Sequence, residues 1–446
     1  MDKSLSLRDQ QCLWHPFTQA KIAPKPIAIA RAEGCYLYTD ANKKLFDGIS
    51  SWWTNAHGHC HTYISEAITR QLSKLEHVMF ANFTHEPAVR LAERLLDIAP
   101  SGLSRVFYSD NGSTAVEVAI KMAFQYWQHR KEDRPLFVAL EHGYHGDTFG
   151  AMSVSERSVY TKPFWPLLFN VRKTVSPCVS EISFGRSEDD LTKQGLQALE
   201  SLLEAHRNQV AGIILEPMLQ IAGGMRIFTR GFLRGIKQLC QKHDLLLIAD
   251  EAATGFFRTG TCFASNHETV TPDIMCLAKG LTGGYLPLAA TLATEKIYQA
   301  FLSDNKADAL LHGHTFTANP LGCAAALASV DLFAMPETQD QIKAIVHTIE
   351  LGMKSFHNLS SVKNARNIGT VAIIELNTEN AGYLSHAADQ ISEHCFEKGL
   401  FIRPLGHLIY FMPPFAATSQ EVTWALNLIH EAINASYSAY HKDPNH

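Results

Sequence analysis

Short apolar segments alternate with amphipathic segments between about residues 60 and 330 of this 446-residue chain. The apolar segments are rich in Val, Ile, Leu and Phe, and the segments between them have the apolar spacing of helices. Because parallel strands need long crossover connections, this alternation predicts an α/β fold, with a mostly parallel sheet that has helices on both faces. The predicted strands are Val106–Tyr108, Leu136–Leu140, Gly212–Leu215, Leu245–Ala249, Ile274–Leu277 and Leu288–Leu292.

Both ends of the chain have a different pattern. A long amphipathic helix is predicted over residues 339–359, and short strands are predicted at Thr370–Ile374 and His407–Phe411. A chain of this length is also too long for one small hydrophobic core. We therefore predict a large domain over residues 60–334 and a smaller α+β domain formed by residues 1–59 together with residues 335–446.

The composition is that of an ordinary globular enzyme. Hydrophobic residues make up 46% of the chain and charged residues 19%, which is too apolar for a disordered protein. A net charge of −5 provides no basic field that would attract nucleic acid or an anionic membrane. The nine cysteines include no C-x-x-C pair, and neither a signal peptide nor an apolar stretch of membrane-spanning length is apparent. We therefore expect a cytoplasmic protein with reduced thiols.

Two predicted strands end at residues with complementary chemistry. Lys279 follows the strand Ile274–Leu277, and Asp250 follows the strand Leu245–Ala249. Ligands bind at the carboxyl ends of parallel strands, so the two side chains are expected to share a site. A lysine amine forms a Schiff base with the aldehyde of pyridoxal 5′-phosphate (PLP), and an aspartate keeps the pyridine nitrogen protonated. Singly, Lys279 is typical of a solvated loop and Asp250 of a helix cap; together they predict a PLP site.

A phosphate site is predicted at the turn after the strand Val106–Tyr108. Gly112 and Ser113 lie there at the start of a predicted helix, where free N–H groups and the helix dipole favour an anion. An ordinary helix cap is the alternative. The chain contains neither a Walker loop nor a Rossmann glycine fingerprint, which removes the main support for a nucleotide hydrolase or a dinucleotide oxidoreductase.

An aromatic ring is predicted beside the same site. Tyr144 lies between Gly143 and Gly146 after the strand Leu136–Leu140, where its face could stack on a pyridine ring, although a plain turn tyrosine is the alternative. Glu216 ends another strand and is expected to orient the groups that bind the ring.

The segment His57–His61 contains three histidines and one cysteine, which are typical metal ligands. Ligands this close together in one turn rarely complete a tetrahedral site without distant partners, and no such partner set is evident. We therefore predict packing or loop hydrogen bonds for these histidines, and no metal site.

With these residues assembled, the chain resembles the class III (subgroup II) PLP-dependent aminotransferases of fold type I over nearly its whole length. The class signature is carried by Leu247–Gly260 and Pro272–Gly280. Within the class, the chain is most similar to the members that transfer an amino group to the 7-keto carbon of 8-amino-7-oxononanoate in biotin biosynthesis. The segments that carry this narrower similarity are Trp14–Thr18, Asp47–Trp53, Gly143–Ser153, Arg403–Gly406 and Tyr410–Pro414.

The resemblance implies roles in cofactor binding and catalysis. Lys279 would be the Schiff-base lysine and the proton shuttle, Asp250 would pair with the pyridine nitrogen, and Tyr144 would cover the ring. Gly112 and Ser113 would hold the phosphate. Thr315 would reach the phosphate bound by the other subunit, so the active site would lie at a homodimer interface.

The resemblance also implies a substrate channel. Its residues would be Trp52, Trp53, Tyr144, Gly313 and Arg403. Arg403 would bind the carboxylate of the oxononanoate through a bidentate pair of hydrogen bonds, and the tryptophans would line its aliphatic chain. Without the resemblance, core packing for Trp52 and Trp53 and a surface ion pair for Arg403 would be favoured.

The amino donor is less defined than the acceptor. The members that use S-adenosylmethionine are expected to have tyrosine at the position of Phe17, and proline is common at the position of His314. The segment Leu281–Pro287 is similar to relatives that use lysine, whereas Arg403–Pro414 is similar to the adenosylmethionine type. We expect S-adenosylmethionine, with lysine as the alternative donor. The rival functions are those of an ω-amino-acid transaminase, an aminomutase of the same fold, and a PLP-binding protein without turnover.

Overall fold

A computed structural model describes residues 4–182, 185–378, 382 and 385–440, with the backbone alone for residues 437–440. Its strands are β1 (Ile29–Glu33), β2 (Tyr36–Thr39), β3 (Lys44–Asp47), β4 (Leu103–Ser109), β5 (Leu136–Leu140), β6 (Val171–Thr174), β7 (Val210–Leu215), β8 (Leu219–Gln220), β9 (Arg226–Ile227), β10 (Leu246–Asp250), β11 (Ile274–Leu277), β12 (Ala289–Thr294), β13 (Val362–Ile368), β14 (Val371–Leu376), β15 (Leu400–Phe401) and β16 (Leu408–Phe411). Its helices are α1 (Leu5–Cys12), α2 (Ser50–Trp53), α3 (Thr62–Leu72), α4 (Glu86–Ile98), α5 (Gly112–His129), α6 (Phe149–Val154), α7 (Glu188–Ala205), α8 (Phe232–Lys242), α9 (Glu295–Ala300), α10 (Pro320–Ala334), α11 (Pro336–Met353), α12 (Asp389–Glu397) and α13 (Ser419–Tyr440).

The largest sheet has seven strands in the order β4-β12-β11-β10-β7-β5-β6. Strand β12 is antiparallel to both of its neighbours, and the other strands run parallel to one another. The mostly parallel sheet is therefore confirmed. The sequence did not predict β6, because Arg172 and Lys173 interrupt its apolar pattern at the edge of the sheet.

Helices pack on both faces of this sheet. Two successive residues of β10 show this, because they pack against different helices. Ile248 packs in a buried cluster with Val116 and Ile120 of α5. Leu247, one residue earlier, packs in a different cluster with Leu199 of α7 and with residues of α8. Because neighbouring side chains of a strand point to opposite faces, the sheet is covered on both sides, as the near-continuous apolar strands predict.

Two smaller sheets contain strands from the chain ends. The four-stranded sheet has the order β1-β2-β3-β15, and β15 joins β3 in parallel, so it links the first 60 residues to the last 50. The other sheet has the order β13-β14-β16. The domain limits given above remain predictions.

The helix predicted over residues 339–359 differs from α11, which begins at Pro336 and ends at Met353. The following residues, 354–358, form a short 3₁₀ helix instead. None of the helices in the described part of the chain has the length and apolar character that crossing a membrane requires.

Candidate active site

Five strands of the large sheet end beside one cavity of about 2260 Å³. The residues that line it after these strands are Gly112 and Ser113 after β4, Tyr144 after β5, Glu216 after β7, Asp250 at the end of β10, and Lys279 after β11. The sheet therefore brings together side chains that are up to 167 positions apart, the separation between Gly112 and Lys279. Convergence at the carboxyl edge is what the strand pattern predicted.

Lys279 enters the cavity from the turn after β11. Its φ angle of 48° lies in the left-handed region, which is uncommon for a side chain of this size and marks a strained position. The Nζ atom lies 5.3 Å from the centre of a Trp53 ring. Burial lowers the pKa of Lys279, and the charges of Asp250 and Glu216 oppose this shift in part. A lowered pKa gives the amine a larger neutral, nucleophilic fraction near neutral pH.

Asp250 is the carboxylate that faces the cavity. Its Oδ2 atom lies 2.8 Å from Nδ1 of His145, and its Oδ1 atom accepts a hydrogen bond from the Ala252 backbone N–H. His145 is buried, and its Nε2 atom has no hydrogen-bond partner among the described residues. Sequence reasoning missed His145. Its one available signal was its place next to Tyr144, because nothing in the sequence shows that it meets a residue 105 positions away.

Glu251, the neighbouring carboxylate, points into the protein interior. It accepts hydrogen bonds from the Thr254 hydroxyl, from the Ala264 backbone N–H, and from both the backbone and side chain of Ser265. Burial raises the pKa of Glu251, and these hydrogen bonds oppose the shift. Its role in the structure is therefore to tie β10 to the residues that precede β11.

Glu216 fixes the loop that carries Tyr144. Its carboxylate accepts hydrogen bonds from the backbone N–H groups of Tyr144 at 3.0 Å and Ile221 at 3.1 Å. Burial raises the pKa of Glu216 to about 8. The Tyr144 hydroxyl donates to Asp147 at 2.9 Å, and burial together with the Asp147 charge raises the pKa of this tyrosine. The loop therefore holds its tyrosine at both the backbone and the hydroxyl.

The start of α5 has the features of an anion site. Asn111 caps the helix by accepting a hydrogen bond from the Thr114 backbone N–H, which leaves the first helical N–H groups, those of Gly112 and Ser113, at the cavity. The Ser113 hydroxyl lies 2.8 Å from that of Thr148. Gly146 closes this arrangement at a φ of 125°, and a Cβ atom there would lie 2.3 Å from the Ser113 hydroxyl oxygen.

The two tryptophans lie in a left-handed turn, α2. Ser50, Ser51, Trp52 and Trp53 have φ angles of 50°, 46°, 67° and 72°, although none of them is glycine. A left-handed conformation costs roughly 1–2 kcal/mol for each such residue. The turn buries Trp53 beneath Lys279 and leaves Trp52 exposed at the cavity. The sequence did not predict this geometry.

An aromatic cluster forms the mouth of the cavity. The ring of Phe17 lies edge-on to Trp52 and to Tyr160, with centroid distances of 5.7 Å and 6.1 Å. The guanidinium group of Arg403 lies 4.9 Å from a ring of Trp52. Arg403 is exposed and makes no ion pair with a carboxylate in the described part of the chain. The structure thus brings Arg403 to the tryptophan named with it from the sequence.

Gly313 and Thr315 lie elsewhere, on an exposed loop that does not line the cavity of this chain. His314, between them, places its Nδ1 atom 2.6 Å from Oδ2 of Asp110, just before the start of α5. The loop therefore passes close to the predicted phosphate site without contributing to the cavity.

The histidine cluster is held by hydrogen bonds. The Nε2 atom of His57 lies 3.0 Å from the Ser329 hydroxyl, and the Nε2 atom of His59 lies 2.9 Å from Asp47. These contacts confirm the prediction of loop hydrogen bonding. Among the described residues, no group of three or more acidic, histidine or cysteine side chains is arranged to hold a metal ion.

The cavity fits PLP in its chemistry. A desolvated amine, a buried carboxylate braced by an imidazole, and the N-terminus of an 18-residue helix border the same space. The cofactor presents an aldehyde, a pyridine nitrogen and a phosphate, which match these three groups in turn.

Comparison with known proteins gives the family. A model of the family described as Aminotransferase class-III matches residues 18–433. The chain is 42% identical over 436 residues to the adenosylmethionine-8-amino-7-oxononanoate aminotransferase of Geobacter sulfurreducens, and the match covers 96% of each chain.

Solved structures give the same result for the fold. The aminotransferase of that name from Methanocaldococcus jannaschii superposes with a TM-score of 0.91 at 37% identity, over 97% of this chain and 98% of the other. An omega transaminase from Pseudomonas jessenii, in complex with PMP, has a TM-score of 0.94 at 27% identity, over 99% of this chain and all of the other. The chain therefore belongs to the class III aminotransferases of fold type I, which are PLP-dependent enzymes.

Proposed function

We propose that this enzyme transfers an amino group from S-adenosylmethionine to the ketone of 8-amino-7-oxononanoate, a step of biotin biosynthesis. The observation that carries the proposal is the position of Arg403, whose guanidinium lies 4.9 Å from a ring of Trp52, a residue that lines the PLP cavity. A substrate with a long aliphatic chain and a terminal carboxylate needs apolar side chains along the chain and a cationic side chain at the carboxylate. Relatives 42% and 37% identical bear the name of this reaction.

When bound, PLP provides an electron-withdrawing pyridinium ring that stabilises negative charge on the carbon bearing the amino group. Lys279 would hold the cofactor through its Nζ atom and, once released, carry the proton between the substrate carbon and the cofactor carbon. Asp250 would keep a proton on the pyridine nitrogen, and its hydrogen bond to His145 fixes the carboxylate for that task. The ring of Tyr144 would cover the pyridine.

Binding of the phosphate would fall to the start of α5. The N–H groups of Gly112 and Ser113 point to the cavity with the positive end of the helix dipole. The Ser113 hydroxyl, already placed by Thr148, adds a donor. The two substrates would then enter one after the other over Trp52 and Trp53.

The donor is the finer part of the proposal. Phe17 and Tyr160 lie edge-on at the mouth, where the phenyl ring of Phe17 offers packing but no hydroxyl. The alternative is that lysine donates the amino group. The test mixes the yellow, PLP-loaded enzyme with each donor separately and follows loss of the visible band of the bound cofactor.

Loss of the band with S-adenosylmethionine alone supports the proposed donor, and loss with lysine alone establishes the alternative. Phe17→Tyr is the matched variant. If Phe17 limits use of S-adenosylmethionine, the variant should discharge the band several-fold faster with this donor and at an unchanged rate with lysine. If neither donor discharges the wild-type band, the biotin-pathway proposal fails.

We also propose a homodimer with the active site at its interface. Trp14, Leu311 and Phe316 are exposed to 95%, 72% and 59%, and burial of such large apolar side chains against a partner would stabilise a dimer. Thr315 and Gly313 lie next to Leu311 and Phe316, so a partner covering this surface would bring them to a second active site. Light scattering of the purified protein tests the assembly; a Thr315→Ala variant with unchanged PLP affinity would contradict the role of Thr315.

We propose a cytoplasmic location, because all nine cysteines are free and most are buried. The main rival function is that of a broad ω-amine transaminase, which the fold accommodates equally well. Activity on many ω-amines together with none on 8-amino-7-oxononanoate would favour that rival.

A further inference from the structure

We propose that Asp47 and His59 are positioning residues that hold the left-handed turn α2 in the shape that places Trp52 and Trp53 in the substrate channel. The proposal rests on the proposed function for the role of the channel. The shape of the turn and the contacts that fix it are independent of the substrate's identity.

The turn is strained and must be held by its surroundings. Four successive residues other than glycine have positive φ angles, and such conformations persist where neighbouring contacts specify them. Backbone hydrogen bonds close the turn from Trp53 N–H to Ile49 C=O at 2.9 Å and from the N–H groups of Thr54 and Asn55 to Ser50 C=O at 3.0 Å and 2.9 Å. These backbone bonds alone do not select a left-handed turn over a right-handed one, because turns of both hands form such bonds.

Side chains supply further contacts: the Ser50 hydroxyl donates to the Met412 backbone C=O at 2.8 Å, and Asp47 bonds the residues on either side of Ser50. Asp47 is fully buried three residues before Ser50, and its Oδ2 atom accepts a hydrogen bond from the Ser51 hydroxyl at 2.7 Å. Oδ1 lies 3.4 Å from the Ile49 backbone nitrogen, which donates to it. The Asp47 carboxylate thus bonds Ile49 and Ser51, the residues on either side of Ser50.

His59 in turn fixes Asp47. Its Nε2 atom lies 2.9 Å from the same Oδ2 atom that accepts from Ser51, and its Nδ1 atom lies 3.0 Å from the side-chain amide nitrogen of Asn55. His59 therefore connects Asp47, three residues before the turn, to Asn55, two residues after it. This gives a specific task to the second histidine of the cluster.

The far end of the turn is fitted to the loop of the catalytic lysine. Gly284, five residues after Lys279, has a φ of 86°, and a Cβ atom on it would lie 3.1 Å from the backbone of Asn55. A shift of the turn would therefore collide with this loop or open a gap beneath Trp53. Asp47 and His59 form a clamp on Ser51, next to Trp52, so loss of this clamp should displace Trp52 before it disturbs the loop of Lys279.

The test compares His59→Ala with His61→Ala, the same substitution two residues further along, where the side chain makes no hydrogen bond to the turn in the described part of the chain. Each variant is purified with PLP bound, and its KM and kcat for 8-amino-7-oxononanoate are measured beside amide hydrogen exchange of the peptide covering residues 49–56. We expect His59→Ala to raise KM about tenfold with kcat changed less than about twofold, and to speed exchange at Trp53 and Asn55. His59→Gln, which can still donate to Asp47, should restore most of both properties.

A second comparison separates positioning from general destabilisation. If His59 acts through the turn, adding His59→Ala to Trp52→Ala should raise KM no further than Trp52→Ala alone. Additive effects, or equal effects of His59→Ala and His61→Ala, would overturn the proposal. If the wild type does not use the oxononanoate, the proposed function fails, whereas unchanged hydrogen exchange in His59→Ala would overturn the clamp itself.

Discussion

The two halves of the cavity are built in different ways. The cofactor half consists of side chains fixed at strand ends, such as Asp250 bonded to His145 and Glu216 bonded to the Tyr144 backbone. The substrate half consists of Phe17 and Trp52, which line the cavity, and of Arg403 beside Trp52; all three are exposed and lie on loops or on a strained turn. The large sheet therefore fixes the side chains of the cofactor half, whereas a few local contacts fix those of the substrate half.

This difference indicates where substrate choice lies. An omega transaminase at 27% identity shares the fold as fully as the oxononanoate enzyme at 37% identity, with TM-scores of 0.94 and 0.91. The sheet and its strand ends therefore do not distinguish the two activities. Changes in the cofactor half should abolish transamination of every substrate, and changes in the substrate half should alter which substrates are used.

The largest effect is expected for Lys279→Ala, which removes the amine that holds the cofactor and carries the proton. Turnover should fall by about four orders of magnitude or more for all donors and acceptors. Lys173→Met is the matched control, because burial lowers the pKa of Lys173 to about 8 although this lysine donates to the backbone carbonyls of Val154 and Ser155 and does not itself line the cavity. Steady-state assays with several turnovers in Lys279→Ala would contradict the assignment.

Asp250→Asn should reduce kcat about 10³-fold, because an amide does not keep the pyridine nitrogen charged. The adjacent variant Glu251→Gln should mainly lower thermal stability, since Glu251 bonds Thr254 and Ser265 in the interior. Single-turnover rates and melting temperatures of both proteins separate the two roles. A greater loss of kcat in Glu251→Gln than in Asp250→Asn would contradict the assignment of Asp250 to the cofactor and Glu251 to the interior.

Arg403→Ala should raise KM for 8-amino-7-oxononanoate about 10–100-fold, through loss of a charge-assisted hydrogen bond. The cofactor half should be unaffected, so PLP affinity should stay unchanged. The methyl ester of the substrate is the matched control: it should bind wild type and variant equally poorly. If the ester loses as much affinity as the acid in the variant, Arg403 does not bind the carboxylate.

The smallest effect concerns pH and Glu216. Its pKa is about 8 in the folded protein and 4.5 when unperturbed, so the folded state holds this proton more tightly between these values. The resulting stability is present below about pH 4.5 and is lost as the pH rises through 8. Relative to Glu216→Gln, the cofactor-free wild type should therefore lose roughly 4 °C of melting temperature between pH 5 and pH 8. A constant difference would mean that Glu216 is ionised throughout.

The sequence predicted the cofactor half better than the substrate half. Lys279 and Asp250 follow continuous apolar strands, and the edge of a parallel sheet collects such residues irrespective of loop detail. The direction of β12 was not predictable, because an apolar run such as Leu288–Leu292 carries no information about strand direction.

The substrate half depends on contacts between distant residues. Phe17, Trp52 and Arg403 meet only in the folded chain, and their roles were named through the family resemblance. The left-handed turn at Ser50–Trp53 contains no glycine that would predict it. The hydrogen bonds of Asp47 and His59 that hold it correspond to no sequence pattern. A positive φ that is imposed by tertiary contacts leaves no local signal.

The most direct test of the account is the acceptor half-reaction. Enzyme carrying the amino form of the cofactor is mixed with 8-amino-7-oxononanoate or with pyruvate, and the return of the visible band is followed while products are identified by mass spectrometry. We predict that the oxononanoate restores the band at micromolar concentration and yields one equivalent of 7,8-diaminononanoate. Restoration by pyruvate and not by the oxononanoate would contradict the proposed function and make the protein an ω-amine transaminase.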